Sequence, residues 1–236
     1  MASFDDIPIV VLPGLDGTGE LLATFVERLS AYRRVQLVAY PPDRAMTYDE
    51  LVALVVERAP RKPFIILGES FSGPIAIEIA AVEKRVVGLV LASSFARHPL
   101  PSLFITFGQL FNASWMPQRL IAAALLGRTR SLELQRRIGQ VVARVPSKVI
   151  RVRIAEVLRV DKLKQLREVK CPILYLQARY DRMVSRKSLN EIVRTQPQCQ
   201  IHAPHMLLET HPQAAAEVVD RFCRALDERS PRLGIA

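Results

Sequence analysis

Apolar residues in this chain fall into two kinds of run. Short blocks, apolar on both faces, lie at 7–12 (Ile-Pro-Ile-Val-Val-Leu), 35–40, 63–68, 86–92, 172–178 and 199–203. Such blocks predict strands of a parallel sheet covered on both sides. Between them the spacing lengthens. Leu21, Leu22, Phe25, Val26 and Leu29 predict a helix over 20–31. Thr47-Tyr48-Asp49-Glu50 reads as a capping box that opens a helix through about Arg58. Further helices are expected from Ser70 to about Glu83 and over 185–194. Pro212 suits the first position of a last helix reaching about Asp227, and the tail from Glu228 reads as frayed. Strand and helix alternate, which predicts an α/β fold with about six mainly parallel strands flanked by helices.

The alternation stops between Arg97 and Asp161. No strand pattern appears there. The run Leu120–Leu126 ends at Gly127, a helix stop. Ser131 and Ser147 stand where N-caps belong. Leu134, Ile138, Val141, Val142 and Val145 form one apolar face, and Ile150, Ile154, Val157 and Leu158 another, with arginine-rich faces expected outside. This predicts a core made of residues 1–96 and 162–236, with a helical cap inserted at 97–161. The cap holds Trp115, the one tryptophan, together with Phe104, Phe107 and Phe111.

Composition narrows the class. At 236 residues, half of them apolar, the chain can bury a sizeable core and is not a disordered segment. Its net charge of +10 is uneven: 15 Lys and Arg but only 4 Asp and Glu lie between Arg97 and Lys170. Solvated helix faces account for most such excess. The sharper reading is a weak attraction to an anionic substrate or surface. Nucleic acid is not the expected partner, because aromatic residues barely interleave with the charges. The acidic start, Met1 to Asp6, is unlike a signal peptide, and no apolar stretch is long enough to span a membrane. Three cysteines (Cys171, Cys199, Cys223) without metal spacing predict reduced, buried thiols in a cytoplasmic protein. No metal and no cofactor are expected.

Chemistry concentrates around Gly68-Glu69-Ser70-Phe71-Ser72-Gly73. A strand that turns into a helix within a few residues needs small neighbours, and the residue at the apex is forced into the open. Ser70 at that apex would be a nucleophile beside a helix start able to stabilise negative charge. The plain alternative is a strand-to-helix turn with Ser70 as N-cap. Of the four histidines, His205 lies in the loop after the last strand, on the carboxyl side of the sheet, where ligands bind. His98 begins the cap, His202 falls inside a strand and His211 precedes Pro212. Asp181 follows the strand ending at Ala178; it is a candidate acid, or a turn aspartate paired with Arg179 or Arg182. Asp161 is the reserve candidate, with helix capping as its other role.

Together these segments resemble the α/β-hydrolases. Gly68 to Gly73 is similar to the family's Gly-x-Ser-x-Gly elbow, with Ser72 at the fifth position and the glycine one later. Arg179-Tyr180-Asp181-Arg182-Met183-Val184 resembles its acid turn, and Ala203 to Glu209 its histidine loop. Leu12-Pro13-Gly14-Leu15-Asp16-Gly17-Thr18-Gly19 resembles the oxyanion loop of small bacterial hydrolases and of plastid acyltransferases that make phytyl esters. The resemblance implies a cofactor-free serine esterase in which Ser70, Asp181 and His205 are catalytic and the backbone N–H groups of Leu15 and Phe71 hold the oxyanion. Gly14, Phe104, Phe107, Phe111, Trp115 and Met206 are the expected contacts to a small ester with an apolar acyl or alcohol group. Acyl transfer to an alcohol and thioester cleavage would use the same side chains. Two other classes remain at this point: a nucleotide-binding protein, for which the glycine spacing Gly-x-x-Gly-x-Gly is wrong, and a noncatalytic binding protein on the same fold.

Overall fold

Alternate residues along each inner strand are buried on opposite sides, and that decides the architecture. In a computed structural model that describes residues 7–99, 131–184, 190–192 and 198–229, six strands form one sheet in the order β2-β1-β3-β4-β5-β6. They are β1 (Ile9–Leu12), β2 (Val35–Leu37), β3 (Phe64–Glu69), β4 (Val86–Ala92), β5 (Ile173–Ala178) and β6 (Gln198–Ile201). Every neighbouring pair runs parallel.

Val10, Leu12, Ile66, Leu89, Leu91, Ile173 and Tyr175 point to one core, which the helices α2 (Tyr48–Arg58) and α3 (Gly73–Val82) cover. Ile9, Val11, Ile65, Leu67, Val90, Leu174 and Leu176 point to the other, beneath α1 (Ala23–Ser30) and the last helix, Pro212–Arg229. Each fully buried large side chain contributes roughly 1.5–3 kcal/mol. The capping box at Thr47 forms with both of its hydrogen bonds.

Several boundaries move, each for a local reason. Strand β2 stops at Leu37 because the next residues serve a loop: the Tyr40 N–H donates to Gly17 O at 2.8 Å. Strand β6 stops at Ile201, where Ala203 N turns back onto Ile201 O at 2.8 Å and leaves His202 exposed outside the strand. Glu20–Leu22 is a 3₁₀ turn ahead of α1. The last helix runs two residues past Asp227. Cys171 and Cys199 are only half-buried, Cys223 is buried, and none of the three is in a disulfide; burial pushes the Cys171 thiol up to about 12.

Residues 131–161 are helical, as α4 (Leu132–Ala143) and α5 (Ser147–Arg159). Ser131 caps α4 by accepting from Leu134 N at 3.2 Å. Ser147 is not a cap: Pro146 holds that position and accepts from Val149 N at 2.9 Å. The apolar face expected on α5 is also corrected. Ile150, Ile154, Val157 and Leu158 are half-buried, whereas Val149 and Arg153 are the buried pair. The chain enters and leaves this segment at one neck. There Arg97 pairs with Asp161 in an antiparallel bridge, His98 N donates to Val160 O at 3.0 Å and Lys162 N to Ala96 O at 2.7 Å. Asp161 accepts from Leu163 N at 3.1 Å one residue ahead of Lys162, the N-cap of α6 (Leu163–Glu168), so it turns the chain into that helix without being its cap. The expected helix at 120–126 and the residues Phe104, Phe107, Phe111 and Trp115 lie outside the described residues, as does most of 185–194, of which 190–192 are helical. Among the described residues, no helix is long and apolar enough to cross a membrane.

Candidate active site

The strand order reverses direction between β1 and β3, so the loops leaving their carboxyl ends lie side by side, the place where open α/β sheets bind ligands. Leu12 pairs with Gly68. The chain turns sharply after β3: Ser70 takes φ 44°, a left-handed backbone rare for a residue with a side chain. Glycine makes that turn possible at two points. A Cβ on Gly68 would lie 2.7 Å from Ser72 O, and one on Gly73 only 1.7 Å from Ser94 Oγ. The Ser94 hydroxyl in turn donates to Ser70 O at 2.6 Å, and Tyr175 Oη donates to Ser94 O at 2.9 Å. The apex is thereby held from β4 and β5.

Ser70 does not cap the helix with its hydroxyl. Its Oγ lies 2.8 Å from His205 Nε2, and His205 Nδ1 lies 2.8 Å from Asp181 Oδ2. The imidazole is 5% exposed and the carboxylate 9%. Asp181 is fixed by its other oxygen, which accepts from Met183 N at 2.7 Å and Val184 N at 2.9 Å. An ionised carboxylate only accepts, so Nδ1 carries the ring proton and Nε2 presents a lone pair to the Ser70 O–H. Asp161 is not part of this relay and belongs instead to the neck described above.

The loop after β1 is held carbonyl by carbonyl. Ser72 Oγ donates to Pro13 O, so the 2.5 Å contact between Tyr40 Oη and Ser72 Oγ has the tyrosine as donor. Gly17 N donates to Gly14 O at 3.0 Å, closing a tight turn. Arg153 Nη1 donates to Leu15 O at 2.9 Å and to Asp16 O at 2.6 Å. Tyr40 N holds Gly17 O. Asp16 Oδ2 accepts from Thr18 N and Thr18 Oγ1 at 2.9 and 2.6 Å. The glycines of this loop serve packing: Gly17 (φ 72°) leaves room for the Arg153 guanidinium, and Gly19 (φ 75°) for Leu37. Phe71 is buried, stacks on Tyr48 at 4.9 Å and gives its carbonyl to Tyr48 Oη at 2.9 Å. Its N–H lies in the first helical turn, where no intrahelical acceptor exists.

A second polar group lies beneath. Glu69 is buried and takes a hydrogen bond from the Gly14 N–H; burial, with Glu209 facing it, pushes its carboxyl well above the usual range. Burial pushes Glu209 up to about 7, opposed by hydrogen bonds and by nearby His205. Met206 is buried against Leu21, Ile138 and Val141 of α4. Among the described residues, no three His, Cys, Asp or Glu side chains converge as a metal site.

Tyr40, Glu69, Arg153 and Glu209 were not signalled by the sequence. Ser72 had a signal, since it stands where the elbow pattern has glycine. Arg153 had none, being one arginine among several on a helix.

Comparison with known proteins agrees with the fold. The Alpha/beta hydrolase family profile matches residues 9–218, and the chain belongs to that family. A segment of 112 residues is 32% identical to phytyl ester synthase 1, chloroplastic, of Arabidopsis thaliana; it is 42% of this chain and 16% of that relative. The chain thus spans a small part of that protein's length. Among solved structures, an esterase from Exiguobacterium antarcticum superposes with TM-score 0.75 at 14% identity, covering 92% of both chains. The enol-lactonase from Burkholderia xenovorans LB400 superposes with TM-score 0.73 at 17% identity, covering 92% of this chain and 91% of that one. Its structural neighbours therefore include esterases, and the shared feature is the fold.

Proposed function

We propose that this protein is a serine hydrolase that cleaves carboxylic esters through an acyl-enzyme. The relay Ser70–His205–Asp181 is the observation that carries the proposal. His205 takes the Ser70 proton as the hydroxyl attacks the ester carbonyl, and Asp181 holds the imidazolium that results. The N–H groups of Leu15 and Phe71 donate to the oxyanion of the tetrahedral intermediate. His205 then protonates the leaving alcohol, and water, activated by the same imidazole, releases the acid and restores Ser70. In this reading residues 97–161 form a helical cap over the carboxyl edge of the sheet, and Gly14, Met206 and the cap aromatics face an apolar acyl or alcohol group. The neck at Arg97 and Asp161 supports that division.

Acyl transfer is the second reading, and the segment similar to phytyl ester synthase 1 favours it. An alcohol replaces water in the last step, with identical side-chain chemistry. Turnover of nitrophenyl esters of rising chain length, beside a thioester and with and without an acceptor alcohol, separates the readings. Transfer predicts a new ester at the expense of free acid. Ser70→Ala should abolish turnover of every substrate while leaving the melting temperature near that of the parent. Near-parental activity in that variant refutes the proposal.

A further inference from the structure

A buried cation is costly unless its donors and charge are used. Arg153 is 1% exposed and comes from α5, a helix that also meets the core through Glu156 Oε2, which accepts from Tyr48 N at 2.8 Å. Its guanidinium reaches across the sheet edge to three carbonyls, those of Leu15, Asp16 and Pro41, the last at 3.3 Å. Tyr40 lies beneath it, 5.7 Å from Cζ to ring centroid. Burial lowers its pKa and Asp16 opposes that from a distance; among the described residues no carboxylate pairs with it directly. Arginine stays charged even so. A hydrocarbon would fill the same space without the desolvation cost, so the packing alone does not explain the residue.

Its position in the turn does. The turn closed by Gly17 N and Gly14 O has Leu15 and Asp16 as its central residues. The peptide between them is the soft one, because its flip converts one turn type into another. Arg153 grips Leu15 O, the oxygen of that very peptide, and Asp16 O of the next. Asp16 keeps a negative φ, so the flipped form, which needs a positive φ there, is not the one held.

We propose that Arg153 is a positioning residue: it locks the Leu15–Asp16 turn so that the oxyanion donor Leu15 is preset, and it makes that donor depend on the docking of α5. The proposal rests on the hydrolase reading above, but its test has an arm that does not. Arg153→Met keeps the stem and removes every donor. Its kcat for a nitrophenyl ester should fall about 10²-fold, the scale of losing one oxyanion donor, with KM changed much less. Hydrogen exchange in a peptide spanning 13–19 should quicken, while 64–69 and 86–92 stay as in the parent. In Arg153→Ala, added guanidinium below denaturing concentration should restore part of the rate. Unchanged kcat overturns the proposal, whether or not the loop exchanges faster; unchanged exchange in 13–19 overturns it as well. If the parent shows no Ser70-dependent turnover, the hydrolase reading falls and the exchange arm alone decides whether Arg153 holds the loop. Should Arg153→Met not fold, Arg153→Lys replaces it. That variant keeps the charge but not the fork, and a parental rate in it counts against the proposal equally.

Discussion

Three side chains far apart in sequence meet within hydrogen-bond reach, and each is limited to one role by its partners. Asp181 spends one oxygen on the Met183 and Val184 amides, so only Oδ2 faces His205. That arrangement fixes the proton on Nδ1 and leaves Nε2 as the base. An amide in place of the carboxylate could donate to Nδ1 and stabilise the opposite tautomer. Asp181→Asn should therefore lower kcat by about 10⁴-fold in the proposed reaction, with the fold intact. Steady-state kinetics beside a thermal melt checks it; a loss under tenfold would mean that Asp181 is a turn residue and no more.

At the scale of elements, the passage from β3 through the 3₁₀ turn Ser70–Ser72 into α3 is built around absent Cβ atoms. Ser94, at the far end of β4, sits where a Gly73 methyl group would go, and its hydroxyl is bound to Ser70 O. Gly73→Ala must push these apart. We expect a loss of about 1–3 kcal/mol, the usual cost of overpacking, together with reduced turnover because the apex shifts. Chemical denaturation measures the first, and a variant as stable as the parent would show that the contact is slack. The strands were legible because both faces of a parallel sheet are buried, so β1, β3, β4 and β5 read as unbroken apolar runs. The elbow was legible from its small residues. Helix α5 was misread because periodicity treats arginine as solvent-facing. What turns Arg153 inward is a set of carbonyls more than 100 residues earlier in the chain, and no local pattern records them.

For the whole molecule, the acid pair Glu69–Glu209 ties the end of β3 to the loop at Gly14 and to the short helix α7, Leu207–Thr210. Asp16, His205 and the Gly14 amide are its polar neighbours. Both carboxyls are raised by burial, so the folded chain keeps protons that the unfolded chain gives up near pH 4. The sign follows from linkage: this stabilisation is complete below the unfolded pKa and is lost as pH rises through the folded one, which for Glu209 is about 7. Glu209→Gln removes the titration. Its melting temperature relative to the parent should climb between pH 5 and pH 8, and a constant difference across that range would remove the pair from the account. Sequence alone could not reveal it, since Glu69 reads as a filler beside Ser70 and Glu209 as a helix residue. Their meeting depends on the sheet having formed.

The neck at Arg97 and Asp161 carries a consequence for how such a chain changes over time. Its two ends meet, so the stretch between them can be lengthened, shortened or exchanged without disturbing strand register. In the hydrolase proposed above, that stretch is where new specificities could be tried on a constant base. The role proposed for Arg153 adds one obligation to every replacement: some cation or amide must still descend to grip residues 15 and 16, or the graft would fold and stay inert.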